Sequence, residues 1–155
     1  DIHAASNPSF NVDVPAVMAG EQTAADLVRF ITTHEGAPLV YSSGTPETVL
    51  AMQTRYGRDA VAHALDALFA QTARLLVRAG YTRIVVAGGE TSGAVAQALA
   101  DELGVEAMDI GREIDPGVPV LSMGREKPVL VALKSGNFGA PDFFAKALAV
   151  MEGTQ

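Results

Sequence analysis

The run Ile84-Val85-Val86-Ala87-Gly88-Gly89-Glu90-Thr91-Ser92-Gly93-Ala94 joins three local signals. β-Branched apolar residues through Val86 favour a strand. Two glycines then permit a tight turn and close approach of another group to the backbone. A hydroxyl pair followed by an alanine-rich stretch opens a helix near Ser92. Strand, glycine loop and helix start define a βα unit. A helix start offers unpaired amide N–H groups and the positive end of the macrodipole, so Gly88–Ser92 is a candidate phosphate cradle. The same spacing also describes an ordinary strand-to-helix turn capped by Thr91 or Ser92. It matches neither G-x-G-x-x-G nor G-x-x-x-x-G-K-[ST].

The rest of the chain repeats the alternation. Phe10–Val14 reads as an edge strand within a loop region. Thr23–His34 is helical in pattern, with Leu27, Phe30 and Ile31 on one face. Pro38–Ser42 is a short strand, and a helix begins near Glu47 behind Pro46. Arg58–Ala79 carries the longest apolar stripe and ends at Gly80. Ser92–Leu103 follows the Ile84 strand, and Val105–Ile110 reads as another strand. Glu113–Pro119 reads as a turn-rich loop and Val120–Met123 as a hairpin arm. Val129–Leu133 is a continuous apolar run, the mark of a strand covered on both faces. A final helix opens at Pro141 with Phe143, Phe144, Ala147, Leu148 and Met151 as its apolar face.

Strands alternating with helices predict an α/β domain: a mostly parallel sheet with helices on both faces, Rossmann-like in three layers. Ligands of such sheets sit at the carboxyl ends of the strands. Three loops fall there: Ser42–Thr45, Gly88–Gly93 and Lys134–Gly139. In the last, Lys134, Ser135, Gly136 and Asn137 place a cation, a hydroxyl, a free backbone and an amide together. Lys134 ends an apolar strand, where a charge calls for an anionic partner or an escape to solvent.

Composition narrows the function classes. At 155 residues, 48% hydrophobic and 19% charged, the chain is expected to be one domain spanning 1–155. A net charge of -7 argues against nucleic acid or an anionic membrane as partner. No cysteine is present, which removes disulfide and thiolate chemistry and fits a cytoplasmic setting. The pattern shows neither a signal peptide nor an apolar run near the roughly 20 residues of a membrane span. His3, His34 and His63 have no metal-ligand spacing. No Ser lies in G-x-S-x-G, so a hydrolase triad is not expected. Asp109–Gly117 holds three carboxylates and Arg112, read as a solvated turn or as a loop at a nucleotide edge. Asp115 in this segment and Glu90 in the Gly88–Gly93 loop are the weaker candidates for magnesium, a hard cation that prefers oxygen ligands.

Four segments, in order, resemble the four-carbon acid sugar kinases. Val85–Gly93 is similar to that family's strand-and-loop signature, and Ile110–Pro119 to a second. Leu133–Gly139 with Asp142-Phe143-Phe144 is similar to a third, and Val40–Ser43 with Pro46-Glu47 to a fourth. The resemblance covers roughly residues 38–150. It implies ATP-dependent phosphorylation of a small sugar acid such as threonate, erythronate or 3-oxo-tetronate, with Mg2+. It implies that Gly88, Gly89, Glu90 and Thr91 hold ATP, faced by Gly136 and its neighbours. The chain resembles only the family's carboxy-terminal nucleotide domain. The amino-terminal acid-sugar domain, the catalytic aspartate expected there and a serine-rich first strand are expected before Asp1. Arg112 and Val120 stand where the family pattern has a proline and an aromatic residue. Two readings remain beside an ATP-binding kinase domain. One is a non-catalytic phosphosugar sensor using the Ser42–Thr45 loop. The other is an oligomerisation domain, with Arg58–Ala79 as the interface of a homodimer.

Overall fold

The computed structural model describes residues 7–135 and 142–153. In chain order the elements are β1 (Ser9–Asn11), α1 (Val14–Met18), α2 (Ala24–Thr33), β2 (Leu39–Tyr41), α3 (Pro46–Tyr56) and α4 (Arg58–Arg78). There follow β3 (Arg83–Ala87), α5 (Gly89–Leu103), β4 (Asp109–Asp115), β5 (Val118–Met123), β6 (Val129–Lys134) and α6 (Phe143–Glu152). The α/β class expected from the alternation holds.

Local chemistry sets the helix boundaries. The Asp26 carboxylate accepts the Thr23 N–H at 2.8 Å and closes the first turn of α2. Thr45 Oγ1 accepts from the Thr48 N–H at 3.2 Å ahead of Pro46 at the start of α3. Gly104, at φ +63, ends α5 in the left-handed conformation. The short helix α1 falls in a stretch expected to be loop. Asp13 nucleates it, its side chain accepting the Ala16 N–H at 3.1 Å.

Two sheets form. β1 and β2 pair in parallel, Ser9 against Leu39 through Asn11 against Tyr41. The larger sheet has the order β3-β6-β5-β4. β3 and β6 are parallel, Arg83 against Leu130 through Ala87 against Lys134. β5 is antiparallel to both its neighbours. The expected predominance of parallel pairing therefore holds for β1–β2 and β3–β6 and gives way beyond them. The reason is the length of the connections. Only Pro116-Gly117 separates β4 from β5, and a two-residue turn can return a strand only antiparallel. The same hairpin corrects the expected strand at Val105–Ile110 and the loop at Glu113–Pro119: the strand runs from Asp109 to Asp115.

Helices cover both faces. α4 packs against α2 and α5, forming one layer, while α6 packs against β3, β4 and β5 on the other side. β6 shows why both layers are needed. Val129 and Val131 join the cluster with Val95 and Leu99 of α5. Leu130 and Ala132 join the cluster with Phe143, Ala147 and Met151 of α6. Successive strand residues point to opposite faces, so a strand apolar at every position must be covered twice. A third cluster joins Val12 to Ala24, Leu27 and Leu68 under α2 and α4. Leu27 and Leu99 are wholly buried, each contributing about 1.5–3 kcal/mol of transfer free energy.

α4 is the longest helix among the described residues. Its 21 residues include an 18-residue window of mean hydropathy 1.2, long and apolar enough by length and composition to cross a bilayer. The sequence reading missed this, because Arg58, Asp59, Asp66 and Arg74 interrupt the apolar run. In the fold the apolar stripe is used by α2 and α5: Leu68 enters one cluster and Ala73 the other.

Candidate functional site

The parallel ladder brings two of the three expected loops together. The Gly88 N–H donates to Lys134 O at 2.8 Å, one step past the last paired residues of β3 and β6. A Cβ placed on Gly89 would lie 3.9 Å from Cβ of Ser135. Gly88–Ser92 and Lys134–Ser135 are thus adjoining walls at the carboxyl ends of neighbouring parallel strands. Gly136 and Asn137 lie outside the described residues.

The two glycines have different jobs. Gly88 has φ +116, a conformation that L side chains rarely adopt, and it turns the chain from β3 into α5. Gly89 has no such requirement, and among the described residues only Ser135 comes near its missing side chain. What Gly89 supplies is space above the backbone.

α5 starts at Gly89, earlier than the expected Ser92. The Ser92 N–H closes onto Gly88 O at 2.8 Å. The N–H groups of Gly89, Glu90 and Thr91 precede it and have no intrahelical acceptor. Neither expected cap forms: Gly88 occupies the N-cap and contributes no side chain. Thr91 instead donates its hydroxyl to Asp66 Oδ1 on α4 at 2.8 Å. Ser92 is 6% exposed, and its Oγ has no hydrogen-bond partner among the described residues. A buried hydroxyl without a partner is costly, of order 1–3 kcal/mol, and calls for one. Glu90 is exposed on the first turn.

Lys134 is half-buried with Nζ 6.0 Å from the Phe143 ring centroid, at the outer reach of a cation–π contact. Asp115 is 8% exposed and forms an ion pair with Lys146 of α6. The hydrogen bond to Asp115 holds the Lys146 ammonium above its usual pKa. Among the described residues no group of three His, Asp or Glu side chains comes together to hold a metal. The carboxylates of Asp109–Asp115 are divided between solvent and this pair: Asp109 and Glu113 are exposed.

The third loop lies on the β1–β2 sheet. Asn11 Nδ2 donates to Ser43 O at 3.1 Å. Ser42, Ser43 and Gly44 line a cavity of about 470 Å³ whose apolar wall includes Val12, Met52 and Leu65. Leu65 precedes Asp66, so α4 borders this cavity and holds Thr91 with adjacent residues.

Sequence reasoning passed over Asp66 and Lys146. Asp66 left a signal, a carboxylate inside the apolar stripe of α4. Lys146 left none, since its partner is 31 residues away.

The geometry is that of an α/β nucleotide-binding domain, with a helix N-terminus and two glycine-containing loops at the ends of parallel strands. The family model described as a nucleotide-binding C-terminal domain matches residues 2–144, and the chain belongs to that family. A 3-oxo-tetronate kinase of Methylobacterium radiotolerans is 46% identical over 147 residues, covering 93% of this chain and 34% of that protein. A 3-oxo-tetronate kinase of Burkholderia multivorans is 43% identical over 150 residues, covering 96% and 34%. A solved Salmonella typhimurium protein described as a putative tRNA synthase superposes with TM-score 0.81 at 37% identity, covering 94% of this chain and 35% of that one. A Haemophilus influenzae structure gives TM-score 0.80 at 38% identity, covering 92% and 34%. The chain spans about a third of the length of the curated relatives it matches. The resemblance to four-carbon acid sugar kinases is borne out at the level of this domain.

Proposed function

We propose that the chain is the ATP-binding domain of a kinase that phosphorylates a four-carbon sugar acid, with ATP and Mg2+ as cofactors. The observation that carries the reading is the Gly88 N–H to Lys134 O hydrogen bond, which sets the α5 N-terminus beside the Lys134–Ser135 loop. In this reading the N–H groups of Gly89, Glu90 and Thr91 receive phosphate oxygens. Gly89 lets them approach, Lys134 offsets their charge, Ser135 adjoins them, and Gly136 and Asn137 are further candidates for nucleotide contact. The unpartnered Ser92 hydroxyl is a further donor at the same turn. Glu90 would hold magnesium directly or through water, and the cation would supply neutralisation of phosphate charge. Phosphoryl transfer depends on positioning and electrostatics more than on covalent chemistry, so a domain of this kind contributes half of the machinery. The sugar acid and its activating base belong to the remainder of the longer polypeptide.

The relatives named as 3-oxo-tetronate kinases support this substrate class. A tRNA-directed role is disfavoured by the net charge of -7, which repels a polyanion. A cytoplasmic setting and a homodimer complete the proposal. The test is titration calorimetry of the longer polypeptide with ATP and Mg2+. Binding in the micromolar to millimolar range is expected, and no heat at millimolar nucleotide overturns the reading.

One observation favours a second reading, a phosphosugar sensor: the cavity beside Ser42–Gly44, with Arg58 among its lining residues. A sensor would prefer phosphosugars to adenine nucleotides and would not need magnesium.

A further inference from the structure

Three contacts fix the register of α4 against α5. Thr91 Oγ1 donates to Asp66 Oδ1 at 2.8 Å, Arg74 Nε to Ala98 O at 3.5 Å, and Arg78 Nε to Glu102 Oε1 at 2.6 Å. The partners advance together along both helices, so α4 and α5 run parallel. Asp66 therefore stands level with the first turn of α5, at the carboxyl ends of β3 and β6.

The seam changes sign along its length. Toward the C-terminal ends α4 offers Arg74 and Arg78, and α5 accepts from them. At the N-terminal end α4 offers a carboxylate. Asp66 is half-buried, and among the described residues its side chain makes no ion pair and no hydrogen bond other than that from Thr91. Its charge is offset by the positive end of the α5 dipole and by the N–H groups of Gly89, Glu90 and Thr91, which have no intrahelical acceptor.

A phosphate on those N–H groups changes the balance, because it brings a second anion to the same turn. Two anions sharing a partly buried turn repel each other unless a cation stands between them. The donors at this turn suit a hard cation. The Thr91 hydroxyl gives its proton to Asp66 and keeps its lone pairs for another partner. Asp66 has a second carboxylate oxygen, and oxygen ligands of this kind are those magnesium prefers. Serine and threonine hydroxyls on the helix turn after a phosphate loop serve magnesium in other nucleotide folds. Magnesium held together with phosphates needs only one or two protein carboxylates, so a group of three is not required here. Ser92 Oγ, buried on the same turn with no partner among the described residues, is an independent sign that a ligand completes this turn.

We propose that Asp66, oriented by Thr91, holds the divalent cation that accompanies the nucleotide's phosphates, alongside the exposed Glu90. Asp66 acts through its charge, and the bond from Thr91 fixes the direction of its carboxylate. The inference rests on the reading of Gly88–Thr91 as the phosphate cradle. It adds the residue that makes nucleotide binding depend on metal.

Asp66→Asn separates charge from structure. The amide oxygen still accepts from Thr91, so the cradle keeps its support and only the charge is lost. Titration calorimetry of the longer polypeptide reads ATP affinity twice, once with EDTA and once with Mg2+. In the parent, Mg2+ is expected to tighten ATP binding about tenfold or more. In Asp66→Asn the affinity with EDTA is expected to equal or exceed the parent's, because a repelling charge is gone. The gain from Mg2+ is expected to shrink by about tenfold. A merely structural role for Asp66 would weaken binding with and without metal alike, and that result overturns the proposal. An equal gain from Mg2+ in variant and parent overturns it too. ATP binding by the parent that ignores Mg2+ overturns it while leaving the phosphate cradle in place, whereas no ATP binding under either condition overturns the cradle itself.

Discussion

Thr91 donates its hydroxyl to Asp66 at 2.8 Å, and so ties the first turn of α5 to the middle of α4. The bond is part-buried and spans 25 residues of sequence. It holds the N–H groups of Gly89–Thr91 against a helix that is itself fixed on both sides. α4 also borders the cavity beside Ser42–Gly44 through Leu65. The two candidate ligand regions of the molecule share this helix.

Thr91→Val keeps the shape of the side chain and removes the donor. Asp66 would lose its partner in a part-buried position, at a cost of about 1–2 kcal/mol. Urea unfolding is expected to show that loss, and calorimetry a weaker affinity for ATP. Thr91→Ser restores the donor and is expected to recover both.

Gly88 and Gly89 separate stability from binding. Gly88→Ala forces a side chain onto φ +116 and is expected to cost about 1 kcal/mol or more. Among the described residues Gly89→Ala meets only Ser135, at 3.9 Å, so stability is expected to stay within about 0.5 kcal/mol of the parent. The added methyl group fills the space offered to phosphate, so ATP affinity is expected to fall about tenfold or more, equivalent to roughly 1.4 kcal/mol. Equal affinities for Gly89→Ala and the parent would move the phosphates away from this loop.

Arg78 grips Glu102 with two hydrogen bonds, at 2.6 and 2.8 Å, and clamps α4 to α5. The hydrogen bond from Arg78 holds the Glu102 carboxyl below its usual value of 4.5. A lowered carboxyl pKa contributes stability that is present above the unfolded value and is lost as pH falls through the folded one. Glu102→Gln is therefore expected to flatten the acid limb of the stability curve below about pH 4.5 and to change its slope little at alkaline pH.

Lys146 has the opposite sign. Its pKa is raised above 10.5 by the hydrogen bond to Asp115, so its contribution is complete below that value and is lost as pH rises through the folded pKa. Denaturant midpoints of the parent are expected to drop in the alkaline limb, and those of Asp115→Asn to drop less. Lys146→Met removes this ion pair from the buried Asp115 and is expected to destabilise the protein at neutral pH.

Much of this molecule can be read from local pattern. Ile84–Ala87 followed by Gly88-Gly89 is a strand and a loop in any context, because β-branched residues and glycines restrict or free the backbone by themselves. Val129–Leu133, apolar at every position, had to be covered on two faces. Thr23 with Asp26, and Thr45 with Thr48 behind Pro46, mark helix starts by hydrogen bonds that span three residues. The candidate loops, Gly88–Ser92 and Lys134–Asn137, followed from the same reading.

Other features were settled by contacts between distant residues. Asp109–Asp115 has the composition of a solvated loop, yet it becomes a strand because Val118–Met123 lies opposite it and β6 lies beyond. Asp115 reads as a metal candidate until α6 brings Lys146 to it. Thr91 reads as a cap until α4 presents Asp66. Backbone preferences act within a few residues and are written in the order of the chain. Charge pairing and strand partners depend on which elements the core brings side by side, and that arrangement exists only once the chain has packed.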